Sequence, residues 1–330
     1  MHANWTRWLR TLAVCAVAVA LVACSDKSAG GDDDDDEDDD EPRPAPAAIT
    51  DLRVVDSSLM SITLRWTVPD SNATHDKVRM YDLRMHYEPI TTANWSQCGP
   101  WFSVPLPGQG GDTQSVVVKP IGPGVRYYFA INCNNFYDDW SGLSNVATAQ
   151  TLPDVLMSIP DTALESVIRE KIGKPLGQFM ASEIAMIDVL DGEARGIAEL
   201  TGIEYCENLT ILHVSDNEIS DLSPLAKLKN LRILGARNNQ VSDLTPMAQS
   251  PLFQLIVPDN NISDVTPIAT MPDIRVMALH NNQIVDIAPL VASPYIGPDD
   301  QLNLTNNPLS VQSVTEYIPA LQARLVLVIH

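Results

Sequence analysis

Leu209-Thr210-Ile211-Leu212-His213-Val214-Ser215-Asp216-Asn217-Glu218-Ile219-Ser220-Asp221-Leu222-Ser223-Pro224-Leu225 decides the fold, because the chain then spells it again. The next copy places Leu231, Leu234, Ala236, Asn239 and Val241 ahead of Asp243-Leu244-Thr245-Pro246-Met247, and residues 252–268 and 274–290 keep the same order. Asn217, Asn239, Asn260, Asn282 and Asn307 follow one another at spacings of 22, 21, 22 and 25 residues. A period of this length marks one supersecondary unit stacked on copies of itself. Each unit predicts a short strand with alternate residues pointing inward. A single copy cannot cover its own apolar face, so neighbours must stack. The five Asn residues are predicted in the turn after each strand, their amides bonding backbone groups that the bend leaves unpaired. They form a structural ladder rather than a catalytic set. Ser223, Thr245 and Thr266 each precede a proline, which predicts a hydroxyl N-cap followed by Pro at the first position of a short helical turn, with Ala288 replacing the cap in one copy.

A stacked array needs covered ends. Ala163, Leu164, Val167, Ile168 and Ile172 fall at helical spacing and stop at Gly173, predicting a helix ahead of the repeats, with a second short helix over residues 182–186. Ile187, Leu190, Arg195 and Ile197 read as a degenerate first repeat with Arg195 in the Asn position. Residues 308–324 predict a closing helix and residues 325–329 a last strand. From Ile159 onward the chain resembles the short internalin-type leucine-rich repeat domains of bacterial surface proteins. The matching motifs are Ile159-Pro160-Asp161 with Ile168-Arg169-Glu170, Leu200-Thr201-Gly202-Ile203-Glu204-Tyr205, the Asp-Leu-Ser/Thr-Pro-Leu turns, and Asn307-Pro308-Leu309-Ser310 with Tyr317-Ile318-Pro319-Ala320-Leu321. The resemblance implies a curved α/β solenoid, a horseshoe with a helical N-cap, whose concave parallel sheet grips a protein. The Ig-like module and cell-wall attachment of internalins proper have no counterpart in these residues, so host-cell invasion is not carried over.

Arg7 and Arg10 precede an apolar run over residues 12–23 that is too short to span a bilayer comfortably and has the layout of an export signal. It ends in Leu21-Val22-Ala23-Cys24, which resembles the lipobox of bacterial lipoproteins. That resemblance implies a signal peptide over residues 1–23, a diacylglyceryl group on the Cys24 thiol, an acylated new amino terminus and membrane attachment through lipid. With Ser25 next, it implies export to the outer membrane. Residues 32–41 are all acidic and precede Pro42, Pro44 and Pro46. Such a charge run repels itself and forms no core, so residues 24–46 read as an extended tether, serving as a spacer or as a surface-sorting signal.

Residues 47–152 alternate apolar and polar positions in short segments, such as Ile62-x-Leu64-x-Trp66 and Tyr81-x-Leu83-x-Met85-x-Tyr87, and predict an all-β sandwich. Trp66 on the second strand, Pro123-Gly124-x-x-Tyr127-x-Phe129-x-Ile131 and the ending Trp140-Ser141-Gly142-Leu143-Ser144-Asn145-Val146 are similar to fibronectin type III domains. The expected order is therefore signal peptide, tether, sandwich, and leucine-rich repeats with caps over residues 153–330. An oxidising compartment would allow Cys98 and Cys133 to pair, which the sequence leaves open, while Cys206 sits in an apolar slot of the first repeat region.

The formal charge is -21, with no basic stripe, which excludes a nucleic-acid binder and suits a basic or neutral protein partner. A Gly-rich phosphate loop, clustered zinc ligands and a Gly-x-Ser-x-Gly elbow are all missing from the sequence, so neither enzyme chemistry nor a cofactor is expected. His213 and His280 lie three repeats apart, about 14 Å at 4.8 Å per strand, too far for one metal ion. The residues between the inward positions define the candidate partner-binding face: Ile211, His213 and Ser215; Ile233, Gly235 and Arg237; Gln254, Ile256 and Pro258; Val276, Ala278 and His280; Gln301, Asn303 and Thr305. The expected molecule is a monomeric, lipid-anchored protein of the bacterial cell envelope, displayed at the surface, that binds a protein. An envelope scaffold or glycan-binding module is the alternative.

Overall fold

Alternating apolar residues fix the strands of the N-terminal half. The computed structural model describes residues 45–69 and 77–330, so the export signal, Cys24 and the whole acidic run over residues 32–41 lie outside the described residues. Among the described residues seven strands build the sandwich: β1 (Arg53–Ser57), β2 (Ile62–Thr67), β3 (Met80–His86), β4 (Gly99–Trp101), β5 (Thr113–Val118), β6 (Arg126–Asn134) and β7 (Ala147–Gln150). They form two antiparallel sheets, ordered β1-β2-β5 and β4-β3-β6-β7. Ile62, Leu64 and Trp66 of β2 and Tyr81, Leu83, Phe129 and Ile131 of the opposite sheet bury one core between them. Trp66 meets Tyr81 edge to face with ring centres 5.2 Å apart, the arrangement the aromatic quadrupole favours. The Tyr127 hydroxyl accepts the Gly122 N–H at 2.8 Å and ties down the corner before β6.

Cys133 shares its face of β6 with Phe129 and Ile131, whereas Cys98 packs with Ile90 and Ala130 on the other face of that strand. The sheet thus separates the two cysteines, and both are free, buried thiols. Burial raises the pKa of each.

Ahead of the repeats, α1 (Thr162–Ile172) buries Leu164, Val167 and Ile168 and ends at Gly173 with φ 68°, a left-handed position that suits glycine. A short α2 (Ala181–Ala185) follows. Asp161 caps α1: its Oδ1 accepts the N–H groups of Ala163 and Leu164, both at 2.9 Å. Its Oδ2 accepts those of Ala198 at 2.8 Å and Glu199 at 3.0 Å. One carboxylate therefore fastens the covering helix to the first repeat. Burial alone would raise its pKa, but these four backbone bonds hold it below the usual carboxylate value.

Seven three-residue strands stack in parallel and in chain order: β8 (Val189–Asp191), β9 (Ile211–His213), β10 (Ile233–Gly235), β11 (Gln254–Ile256), β12 (Val276–Ala278), β13 (Gln301–Asn303) and β14 (Leu327–Ile329). Their central residues, Leu190, Leu212, Leu234, Leu255, Met277, Leu302 and Val328, align by register into one interior row. All seven are buried, each contributing about 2 kcal/mol of transfer free energy. The chain returns through short helical turns over Ser223–Lys227, Thr245–Met247 and Ile268–Thr270, and through α3 (Ala288–Ala292).

The caps of these turns differ from the sequence expectation. The capping oxygen belongs to aspartate, not to the hydroxyl: Asp221, Asp243, Asp264 and Asp286 accept the N–H of Ser223, Thr245, Thr266 and Ala288 at 2.7–2.8 Å. A carboxylate makes the stronger, charge-assisted bond, and the copy with Ala288 keeps its cap intact. Hydrogen bonds from Ser223 and Thr245, side chain and backbone, hold Asp221 and Asp243 below the usual pKa.

The closing helix over residues 311–323 widens into a π turn at Ser313–Tyr317 before α4 (Ile318–Ala323). Pro319 lacks an N–H and crowds the preceding turn, which the wider turn relieves.

Sandwich and solenoid touch directly. Glu207 accepts the Ser58 hydroxyl at 2.6 Å and the Leu59 N–H at 2.9 Å, and Lys229 pairs with Asp56 at 2.6 Å. Leu59 is buried against Ala181 and Ala185 of α2, with Met60 and Met157 alongside.

Candidate functional site

The Asn ladder sets the geometry of the strand face. Asn260 donates from Nδ2 to the carbonyls of Val257 and Pro258 in its own turn and to Ala236 one repeat earlier, while its Oδ1 accepts the Val241 N–H at 2.9 Å. Asn239 bridges in the same way to Val214 and Ile219, Asn282 to Val257 and Ile262, and Asn307 to Leu279 and Ile284. Asn217 reaches Gly192 and accepts from Arg195 and Ile197. Each amide thus satisfies its own bend and clamps the preceding repeat, which fixes how neighbouring strands align.

The residue before each ladder Asn is left-handed: Asp216, Asn238, Asp259, Asn281 and Asn306 have φ between 51° and 58°. Asp and Asn tolerate that region better than other L-residues. Their side chains also bond one another, Asn238 to Asp216 at 2.8 Å, Asn281 to Asp259 at 2.6 Å and Asn306 to Asn281 at 2.8 Å. This second ladder was not anticipated. Its signal is the Asp or Asn that stands directly before every ladder Asn.

Register places the candidate face residues in rows. Ile211, Ile233, Gln254, Val276 and Gln301 pair in sequence, and all but the exposed Gln301 are half-buried. The row also takes in Val189 at one end and Leu327 at the other, two members the sequence did not reveal. Their strands lack the Asn signature: Arg195 replaces it in the first repeat, and β14 belongs to the closing segment. The second row runs His213, Gly235, Ile256, Ala278 and Asn303, flanked by Asp191 and Ile329.

Gly235 has a steric reason. A Cβ there would lie 2.9 Å from Nδ1 of His213, so glycine leaves room for the imidazole.

Beyond the strands come Ser215, Arg237, Pro258, His280 and Thr305. Arg237 pairs with Asp259 at 3.1 Å. Burial lowers the pKa of His280, with Asp259 opposing and Arg237 reinforcing, and its Nδ1 has no partner among the described residues. His213 ends β9 and His280 lies two residues past β12, three strands along the sheet, so the fold does not bring them together. Among the described residues no group of three or more His, Cys, Asp or Glu side chains is placed to hold a metal ion.

The family model for Leucine Rich repeats (2 copies) matches residues 207–249. Those leucine-rich repeats span β9, β10 and the ladder residues Asn217 and Asn239. No curated protein sequence matches the chain. Among solved structures, an internalin from Listeria monocytogenes str. 4b F2365 is 22% identical, covering 52% of this chain and 69% of its own length, with a TM-score of 0.30. Internalin C2 of the same strain is 21% identical over 52% of this chain and 93% of its own, with a TM-score of 0.32. The fibronectin type-III domain of human fibronectin type III domain containing protein 3 is 19% identical over 34% of this chain and 93% of its own, with a TM-score of 0.26. The chain is multidomain and rich in β structure, with a parallel sheet in its leucine-rich repeats.

Proposed function

We propose that this chain is a lipid-anchored bacterial cell-surface protein whose leucine-rich repeats bind a protein partner through the strand face. The half-buried aliphatic side chains at Val189, Ile211 and Ile233, with Val276 beyond the interrupting Gln254, carry this reading. An aligned apolar stripe beside Arg237 and the histidines has the make-up of a protein interface, an apolar centre with a polar rim. The rows hold no tryptophan or tyrosine, so a glycan would find no stacking platform there. Anchoring rests on Cys24 and its preceding Leu21-Val22-Ala23. The chain acts as a binding module rather than an enzyme.

One experiment tests both parts: chemical cross-linking on intact cells expressing the wild type, Ile233→Asp with Arg237→Glu, or Cys24→Ala. The wild type should capture a protein, the double variant should remain on the membrane and capture none, and the Cys24 variant should leave the membrane fraction. Undiminished capture by the double variant overturns the strand face as the binding site. Unchanged membrane retention of Cys24→Ala overturns the lipid anchor.

A further inference from the structure

An open cavity of about 660 Å³ lies where α1 meets β8, at the N-terminal end of the parallel sheet. Its aliphatic lining comes from Val189 of β8, with the largely buried Val167 of α1 behind it, and the rest of the wall is mainly charged. The volume falls in the range of ordinary ligand pockets, roughly 300–1,000 Å³.

The charges around it are unequally committed. Arg195 is held by Glu170 at 3.1 Å, and Lys171 lies 3.8 Å from Asp188. Asp191 accepts only the backbone N–H of Glu193, at 3.2 Å, and the Glu193 carboxylate has no partner among the described residues. Both basic groups thus lie next to a carboxylate, while the exposed Asp191 and Glu193 side chains line the same cavity without an ion-pair partner among the described residues. Val189 also begins the aliphatic row that continues through Ile211 and Ile233, so the cavity opens onto the proposed binding face.

From these observations we infer that the cavity takes a lysine or arginine side chain from an extended segment of the protein partner, with aliphatic residues of that segment lying along Ile211 and Ile233. The methylene stem packs on Val167 and Val189, and the cationic head reaches Asp191 and Glu193. Two strand steps, about 10 Å, separate Val189 from Ile233, a distance that roughly three extended residues span. The overall charge of -21 favours a basic segment on approach. This inference rests on the strand-face reading and adds the chemistry of the partner.

The test pans a random twelve-residue peptide display library on the full chain and measures the enriched peptides on the wild type and on Asp191→Asn with Glu193→Gln. Enriched peptides should carry a lysine or arginine two or three positions from an aliphatic residue and should shift the methyl signals of Val167 and Val189. Replacing that cation with norleucine should weaken binding about 5-fold on the wild type and have no effect on the double variant. Enriched peptides without a cation, an equal norleucine effect on both proteins, or no enrichment at all would each overturn the cavity assignment. The strand-face reading also admits a folded partner and is decided separately by the Ile233/Arg237 capture experiment.

Discussion

The two halves of this protein solve the burial problem in opposite ways. The sandwich closes two sheets over an aromatic core, where Trp66, Tyr81, Tyr127 and Phe129 meet from strands far apart in the chain. The solenoid has an aliphatic interior in which each strand pairs with the strands of the adjacent repeats, and the Asn side chains clamp each repeat to the one before. A defect in the first should therefore be felt across the whole sandwich. One in the second should stay within a repeat and its neighbours.

The largest expected effect is Trp66→Ala, which empties the centre of the aromatic core and should cost about 4 kcal/mol. Hydrogen exchange should show protection lost across β2, β3, β5 and β6 and kept in β9 to β12. Asn260→Ala should cost about 3 kcal/mol, because it strands a buried N–H and several carbonyls. Here protection should fall around residues 236–262 and survive in the sandwich; uniform loss in both halves would erase the distinction.

Asp161→Asn should cost about 2 kcal/mol at neutral pH, since the amide's single oxygen can accept only one pair of the four N–H bonds and its NH2 group faces the other two donors. Asp161 has a lowered pKa in the folded chain, so its stabilisation is fully present above its unfolded value and is lost as pH falls through the folded one. Denaturation of wild type and variant should converge over that acid range; a constant gap would refute the linkage.

The smallest effect, about 1 kcal/mol, is expected for Glu207→Ala, which removes the bonds to Ser58 and Leu59 at the junction. Its measure is cooperativity. Urea unfolding followed by separate probes in each half should split further apart in the variant than in the wild type.

Much of this architecture was legible because both halves write their burial pattern locally. The interior row from Leu190 to Met277 follows from spacing alone, and Trp66 and Tyr127 take the places expected of a sandwich. The face residues from Ile211 to Asn303 fall into rows for the same reason: a strand points successive side chains to opposite sides. The turn caps were misassigned because Ser and Thr before proline look like N-caps, although an aspartate two residues earlier reaches the same N–H. Val189 escaped notice because its repeat has Arg195 in place of the marker Asn.

The sequence by itself determined the period, the strand register within each repeat and the alternation of the sandwich, since these depend on residues a few positions apart. Only the tertiary structure decided which backbone groups of the preceding repeat each Asn clamps, that Glu207 meets Ser58 across 149 residues of chain, and that α1 and β8 border an open cavity lined by Asp191 and Glu193. Those features arise from contacts between segments that no local pattern links.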